Sequence, residues 1–327
     1  MRRTLLTLLA LTISAALLVW QVNFVGADRI SAGLRSIGWG FLAILLLSFL
    51  RFMARSIAWT TLIGERVPLM PAIAATISGD ALGNVTPLGL LASEPAKAIY
   101  LDRAAGTLPS LAALAAENFF YSVSVGIYVT LGTAAMLRRF PLAGEVYVAA
   151  IAALVLMAGV LAAAGWTAWQ KPAMASTMLR GLPFARLTTI VDRVRDFELR
   201  TYGSTGGQGR RLVIVFLCET AFHLLSFIET WLTIWLITGL SAPLAALVLD
   251  TFSRIVNVVA RMIPFRIGVD QVTSESVAVA IGLGPAIGTT VSLIRTGRMV
   301  VWAAVGLVLL TRRSLVKAAG RQPKAEG

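Results

Sequence analysis

Five arginines lie in otherwise apolar stretches of the C-terminal half: Arg254, Arg261, Arg266, Arg295 and Arg298. The acids of the same stretches are fewer, namely Asp250, Asp270 and Glu275. Arg254 and Arg261 are seven residues apart and Arg295 and Arg298 three apart, so each pair can share one face of a helix. Because a planar guanidinium suits phosphate, this surplus predicts binding of an anionic group. The alternative is internal pairing with Glu219, Glu229 and the acids of the N-terminal half.

The acids of the N-terminal half, Asp80, Glu94 and Glu117, admit two interpretations. Acids within membrane spans relay protons in many transporters, but they also pair with arginines. His223 lies four residues after Glu219 on one helix face, where we expect a packed, hydrogen-bonded histidine rather than a proton switch.

Metal and cofactor signatures are not found. A chain with one histidine and one cysteine offers no credible metal site. It contains no GxSxG, P-loop or Gly-rich dinucleotide signature. We therefore expect no cofactor and no enzymatic activity.

The composition places these charges in a membrane. Of 327 residues, 57% are hydrophobic and 14% charged, and the mean hydropathy is +0.80, whereas soluble domains carry about 25% charged residues. The net charge of +13 would suggest nucleic acid in a soluble protein. Since no basic soluble domain is present, we expect no nucleic acid partner, and we assign the charge to cytoplasmic loops.

The expected fold is an all-α polytopic membrane protein. Each span needs about 20 apolar residues, which predicts full spans at 5–25, 39–62, 109–137, 144–164, 212–240 and 286–310. The segments 69–94 and 242–284 are interrupted, and we expect them to be two opposed re-entrant broken-helix hairpins. Their structural hairpin residues are expected to be Pro87, Gly89, Pro264 and Gly268. Arg51 and Arg55 are expected to reach toward the lipid headgroups from a helix end.

The halves of this single transmembrane domain, 1–165 and 212–310, are joined by a basic loop at 166–211 and followed by a basic tail at 311–327. The excess of Lys and Arg in the loop and tail predicts that both termini are cytoplasmic. The order span, broken hairpin, span occurs in both halves, which predicts an inverted repeat. Aligning Pro87 with Pro264 matches Asp80 with Asn257 and Glu117 approximately with Arg295.

Four segments carry a family resemblance: GDALGNVTPLGLLASEPAKAIYL at 79–101, AENFFYSV at 116–123, RMIPFRIGVDQVTSESVAVAIGLG at 261–284 and SLIRTGRMVVWAAVGLVLL at 292–310. They resemble the flippase-like transmembrane domain of lysylphosphatidylglycerol synthase, in its form without the aminoacyl-transferase domain. This family is bacterial and archaeal, which implies the cytoplasmic (inner) membrane. Asn118 and Gln271 depart from the family pattern. With the arginines above, the expected substrate-binding residues are Arg254, Arg261, Arg295, Arg298, Asn84, Glu94, Lys97 and Glu117.

The resemblance implies movement of a phospholipid or a polyprenyl- or hopanoid-type lipid between leaflets. The expected ligand is a membrane lipid with a phosphate-bearing headgroup. Two alternatives stay open. One is an intramembrane transferase acting on a lipid phosphate, with Asp80, Glu94 or Glu117 as base. The other is an interaction subunit that contacts a lipid-modifying enzyme through the loop at 166–211.

Overall fold

The computed structural model describes residues 16, 19, 23, 27–63, 67–86, 90–142, 144–169, 208–259 and 268–319. These residues are helical apart from short turns and connections, and none of them forms a strand. The expectation of an all-α fold is therefore confirmed for this part of the chain. Nearly all of the predicted first span at 5–25, most of the loop at 166–211 and the end of the tail lie outside the described residues.

The described residues form eleven helices. In chain order they are α1 (Ala27–Ile37), α2 (Gly40–Ile63), α3 (Leu69–Val85), α4 (Leu90–Tyr100), α5 (Asp102–Ala105), α6 (Thr107–Arg139), α7 (Gly144–Trp169), α8 (Gln208–Thr238), α9 (Pro243–Val259), α10 (Val269–Ala280) and α11 (Pro285–Ala319). Glycines with positive φ angles precede α6 (Gly106, φ 75°) and follow α8 (Gly239, φ 70°), where residues with a Cβ would be strained.

Four helical stretches within the described residues are long and apolar enough to cross a membrane: Gly40–Ile63, Pro109–Arg139, Gly209–Thr238 and Pro285–Arg313. They correspond to four of the predicted spans, at 39–62, 109–137, 212–240 and 286–310. A fifth predicted span, 144–164, lies in α7, whose apolar stretch Tyr147–Ala163 is shorter. Large apolar side chains such as Leu46, Val155 and Phe216 are exposed on the outside of the helices, which suits contact with lipid tails.

Helix α1 and the end of α11 differ most from the prediction. Helix α1 was not predicted, because its large apolar residues, Ile30, Leu34 and Ile37, are separated by polar and small residues and form no apolar run. It packs on α11, where Gly33 lies against Leu293 and Leu34 lies against Gly297. Helix α11 continues beyond the predicted end at 310 to Ala319, because the residues that follow the apolar run are good helix formers.

Each interrupted segment consists of two helices that pack together. In the first, α3 and α4 approach closely at Gly79, where a Cβ atom would lie 2.4 Å from Lys97 Cγ. Helix α4 extends to Tyr100, six residues beyond the expected end of the hairpin at 94. In the second, α10 begins after Gly268, whose φ is 82° and whose N–H donates to Gln271 Oε1 at 2.8 Å. Pro87, Gly89 and Pro264 lie outside the described residues.

The two halves contact each other in matching pairs of helices. The span helices α2 and α8 pack together, α3 packs on α11, and α9 packs on α6. Within each half the same neighbours recur: α2 with α3 and α6, and α8 with α9 and α11. The first helix of each broken segment therefore packs against the span helix that follows the broken segment of the other half.

Hydrogen bonds between the first two helices of each half have a constant sequence offset. Ser56 on α2 and Thr76 on α3 are joined by a hydroxyl hydrogen bond of 2.8 Å. Thr230 on α8 donates to Asp250 on α9 at 3.5 Å. Thr230 follows Ser56 by 174 positions, and Asp250 follows Thr76 by the same 174. The two bonds therefore occupy equivalent places in the two halves.

The close contacts between the halves have the same offset. A Cβ atom on Gly306 of α11 would lie 2.7 Å from the carbonyl oxygen of Ile77 on α3. A Cβ atom on Gly132 of α6 would lie 2.9 Å from Cβ of Thr251 on α9. Gly306 follows Gly132 by 174 positions, and Thr251 follows Ile77 by 174. Small residues permit this close packing of helices in membranes.

The offset of 174 corrects the alignment on Pro87 and Pro264, which are 177 positions apart. Asp80 on α3 is equivalent to Arg254 on α9 rather than to Asn257. In the sequence the prolines fall between the bounds of the paired helices, and the intervals differ in length: four residues separate α3 from α4, and nine separate α9 from α10. Equivalent helices need not be followed by equivalent connections.

Alanine at Gly306 tests the packing of α11 on α3. Its Cβ would lie 2.7 Å from a backbone oxygen, so we expect the free energy of unfolding to fall by about 1–3 kcal/mol. The control is Gly159→Ala, since no atom of the described residues lies within 4 Å of its Cβ position and alanine favours a helix over glycine by about 1 kcal/mol. Thermal unfolding in detergent measures both, and a Gly306→Ala protein as stable as Gly159→Ala would contradict the contact.

Candidate functional site

A polar cavity of about 200 Å³ lies where both broken segments meet the span helices. Its wall contains residues from α2, α3, α4, α6, α8, α9 and α11. The charged residues of the wall are Arg51, Arg55, Asp80, Glu94, Lys97, Arg254 and Arg298. Ionised groups inside a membrane protein need partners or water, so the hydrogen bonds of these residues define what the cavity can bind.

Arg55 is held by Glu117 of α6. Its Nε and Nη2 donate to the two carboxylate oxygens of Glu117 at 2.7 and 2.8 Å. The guanidinium also lies 4.4 Å from the centre of the Tyr121 ring, in a cation–π arrangement. Glu117 is buried behind the cavity wall and does not line it.

Glu229 of α8 binds two guanidinium groups. Arg51 Nη1 donates to Glu229 Oε2 at 3.0 Å, and Arg298 Nη1 donates to both carboxylate oxygens of Glu229. The three residues come from α2, α8 and α11. One carboxylate therefore contacts two cations at the junction of three helices, and the group of three carries a net positive charge.

Asp250 holds Arg254, one turn further along α9. Arg254 Nε and Nη2 donate to Asp250 Oδ2 at 3.2 and 3.1 Å, and Ser226 of α8 donates to Oδ1 at 2.8 Å. The Arg254 guanidinium lies 4.4 Å from the centre of the Tyr128 ring. Its orientation is thus fixed from two sides.

The first broken segment adds two further pairs. Lys97 Nζ donates to Glu94 Oε1 at 2.9 Å within α4. On α3, Asn84 Nδ2 donates to Asp80 Oδ2 at 2.8 Å. Asp80 has no ion pair among the described residues, although it lines the cavity.

The structure brings five of the eight predicted substrate-binding residues into one cavity wall: Arg254, Arg298, Asn84, Glu94 and Lys97. Glu117 reaches the cavity only through Arg55. Arg295 does not line it, because its Nη1 donates to Asp270 at 3.2 Å on the side where α11 packs against α10. Arg261, together with Arg266, lies outside the described residues.

Two of the five arginines of the predicted surplus, Arg261 and Arg266, lie outside the described residues, and the other three have acidic partners. Arg254, Arg295 and Arg298 each contact an acid, so the alternative of internal pairing describes them. Two of their acidic partners are those of the second-half helices α9 and α10, and the third is Glu229. A phosphate group would have to share or exchange these partners.

Arg51 and Arg55 were assigned the wrong environment. Their side chains are only 17% exposed and point into the protein, because α6 and α8 present Glu117 and Glu229 to them. Their spacing of four residues on one helix face was visible in the sequence. The missing information was which of the glutamates in the later spans would pack against that face.

The ion pairs of the two halves carry opposite charges at equivalent positions on α2 and α8. In the first half the arginine is on α2 and the glutamate on α6, as Arg55 and Glu117. In the second half the glutamate is on the span helix and the arginine on the last helix, as Glu229 and Arg298. Glu229 follows Arg55 by 174 positions, the offset of the repeat.

His223 is packed and hydrogen-bonded, as expected. Its Nε2 lies 2.9 Å from Ser124 Oγ, and its ring stacks on Tyr128 at a centroid distance of 5.1 Å. These contacts tie α8 to α6 beside the cavity.

The chain was compared with known protein families, curated proteins and solved structures. The family described as "Lysylphosphatidylglycerol synthase TM region" matches residues 7–310. No curated protein and no solved structure matches the chain significantly.

Because Glu229 contacts both Arg51 and Arg298, its substitution should lower the free energy of unfolding strongly. Glu229→Gln leaves the guanidinium groups of Arg51 and Arg298 buried without a counter-charge, so we expect a loss of about 3–5 kcal/mol. Glu275→Gln is the control, because Glu275 is exposed and surface substitutions change stability by about 0.5 kcal/mol or less. Denaturation in detergent compares them.

A double variant separates the network from a general effect of the substitution. Adding Arg298→Met to Glu229→Gln removes one of the unpaired cations, so the double variant should be more stable than the sum of the two single losses predicts. Additive losses, or a Glu229→Gln protein as stable as Glu275→Gln, would contradict the shared ion pair.

Proposed function

The chain belongs to the family of the lysylphosphatidylglycerol synthase transmembrane region, and on that premise we propose that it is a flippase-like lipid carrier. It binds the phosphate-bearing headgroup of a phospholipid, or of a polyprenyl- or hopanoid-type lipid, and moves the lipid between leaflets. It transports the lipid without transforming it. The observation that carries this proposal is the charged cavity enclosed by apolar helices.

The distribution of polarity supports this proposal. Charged side chains from both halves converge on the cavity, whereas Leu46, Val155 and Phe216 on the outer surface are 58%, 68% and 62% exposed. A lipid has the complementary distribution, with a polar head and apolar tails. Discontinuous helices that meet near the middle of the bilayer form the binding sites of many transporters.

The phosphate subsite is assigned to Arg51 and Arg298. Both line the cavity, and they share the single carboxylate of Glu229, so this corner carries one more positive than negative charge. Arg51 Nε is buried and has no hydrogen-bond partner among the described residues. A phosphate oxygen in the cavity would accept from such a donor and supply the second negative charge.

Asp80 extends the proposal to zwitterionic headgroups. It is a carboxylate of the cavity wall that forms no ion pair within the described residues. A headgroup with a phosphate at Arg51 and Arg298 and an amine or hydroxyl group at Asp80 would complement both charges of the wall.

The proposed topology is that of a multi-pass protein of the bacterial or archaeal cytoplasmic membrane. Six spans cross fully, the two broken segments enter as opposed re-entrant hairpins, and both termini are cytoplasmic. The eight Lys and Arg residues of the loop at 166–211 support this orientation. The repeat offset of 174 supports an origin of the two hairpins in equivalent halves.

Lipid exchange in liposomes tests the proposal with a matched pair of variants. Arg298 and Arg295 are three residues apart on α11, both are buried and both contact an acid, but only Arg298 lines the cavity. We expect Arg298→Gln to lower the rate at which labelled phospholipid reaches the other leaflet by at least about tenfold, an energetic effect of about 1.4 kcal/mol. Arg295→Gln should retain most of the parent rate.

Similar rates for Arg298→Gln and the parent would reject the proposed phosphate subsite. Equal losses in both variants would assign the effect to general destabilisation rather than to the cavity. The folded fraction of each protein, measured by size-exclusion chromatography before reconstitution, normalises the rates.

A transferase acting on a lipid phosphate is the second candidate, favoured by Asp80 alone. Glu117 and Glu94 are engaged by Arg55 and Lys97, which leaves Asp80 as the cavity carboxylate available as a base. This function predicts a lipid of altered mass in membranes that contain the parent protein. The altered lipid should be absent from membranes that contain Asp80→Asn. Unaltered lipid masses with the parent would reject it. The interaction surface proposed for the loop at 166–211 lies largely outside the described residues.

A further inference from the structure

Glu219 is a buried carboxyl group that none of the ion pairs engages. It lies on α8 and is 1% exposed. Neither of its carboxylate oxygens has a hydrogen-bond partner among the described residues. The cavity wall does not include it, so solvent in the cavity does not hydrate it directly.

The charged groups around Glu219 come from three other helices. Its charged neighbours among the described residues are Glu117 of α6, Arg55 of α2 and Arg254 of α9. On its own helix it adjoins Cys218 and is one turn from His223. Arg51 on α2 and Arg298 on α11 are bound by Glu229, ten residues further along α8.

These neighbours supply too little positive charge for two ionised glutamates. Arg55 already donates to both oxygens of Glu117, and Arg254 donates to Asp250. An ionised Glu219 would therefore be a buried charge without a partner, beside a second carboxylate. Such a group is expensive in a low-dielectric interior unless it takes up a proton.

We propose that Glu219 is a proton-binding site that shares one proton with Glu117. A protonated Glu219 hydroxyl can donate a hydrogen bond to Glu117, whose oxygens retain lone pairs after accepting from Arg55. The proton neutralises the second carboxylate and leaves Arg55 paired with one negative charge. Deprotonation leaves two carboxylates competing for a single guanidinium.

The proposal connects this proton to the cavity, and this step rests on the proposed function. Arg55 lines the cavity while it holds Glu117, so it is the residue through which proton and headgroup influence each other. A protonated Glu219 makes the site one charge more positive, and it therefore favours an anionic headgroup. By linkage, binding of that headgroup favours uptake of the proton.

Infrared difference spectroscopy tests the proton site without any lipid substrate. The full chain in detergent should show the carbonyl-stretch band of a protonated carboxyl group at neutral pH, and alkaline titration should remove it. Glu219→Gln should lack the band. Glu145→Gln is the matched control and should keep it, because Glu145 is exposed at the start of α7.

The wild-type titration alone decides the proton site, even if Glu219→Gln were poorly folded. A wild-type protein with no protonated-carboxyl band at neutral pH would overturn the proposal. A band that persists unchanged in Glu219→Gln would also overturn it, because the proton would then reside elsewhere.

Binding of phosphatidylglycerol, measured by native mass spectrometry across pH, tests the coupling. One linked proton makes the wild-type affinity fall with rising pH by up to about tenfold per pH unit. Glu219→Gln, which mimics the protonated state, should bind with little dependence on pH. Equal pH dependences in both proteins would overturn the coupling. If neither protein binds this lipid, the proposed headgroup site fails, and the infrared result still decides the proton site.

Discussion

The need to balance charge inside an apolar protein governs the rest of this structure. Glu229 meets that need for two guanidinium groups at once, from Arg51 of α2 and Arg298 of α11. Because an ionised group without a partner is costly at this depth, these three helices cannot separate without exposing a charge to hydrocarbon or water. The same requirement orients Arg55 and Arg254, which are fixed by Glu117 and Asp250. These four arginines and Lys97 line the cavity, and each of the five contacts an acidic partner.

Close backbone packing makes this arrangement of charges possible. Gly306 and Gly132 let α11 and α6 approach α3 and α9 so closely that a methyl group would collide. These contacts recur with one offset, as do the hydrogen bonds of Ser56 and Thr230. The close contacts at equivalent positions of the two halves thus set the distances between the helices. The ion pairs set the orientation of the side chains between them. Neither alone would bring side chains of both broken segments to one cavity.

The helices were predictable from the sequence to the extent that length and apolar composition determine them. Helices α2, α6, α8 and α11 lie near their predicted positions because each contains an apolar run long enough to span a membrane. Helix α1 contains no such run, and its place on α11 depends on a tertiary contact at Gly33. The ion-pair partners of Arg51 and Arg55 could not be predicted either, because the spacing of the two arginines indicates a shared helix face but not which helix packs against it. The alignment of the halves on prolines failed for a related reason: connections of different length shift the prolines relative to the helices.

The exchange of charge between the halves follows from this constraint. Arg55 and Glu229 occupy equivalent positions on α2 and α8, which pack against each other. The two positions carry opposite charges, as do the equivalent Asp80 and Arg254. Each half therefore supplies charges opposite to those that the other half has at the equivalent positions. This difference also makes the surroundings of the cavity arginines unlike: Arg51 and Arg298 share the carboxylate of Glu229, whereas Arg55 is paired with Glu117 behind the cavity wall.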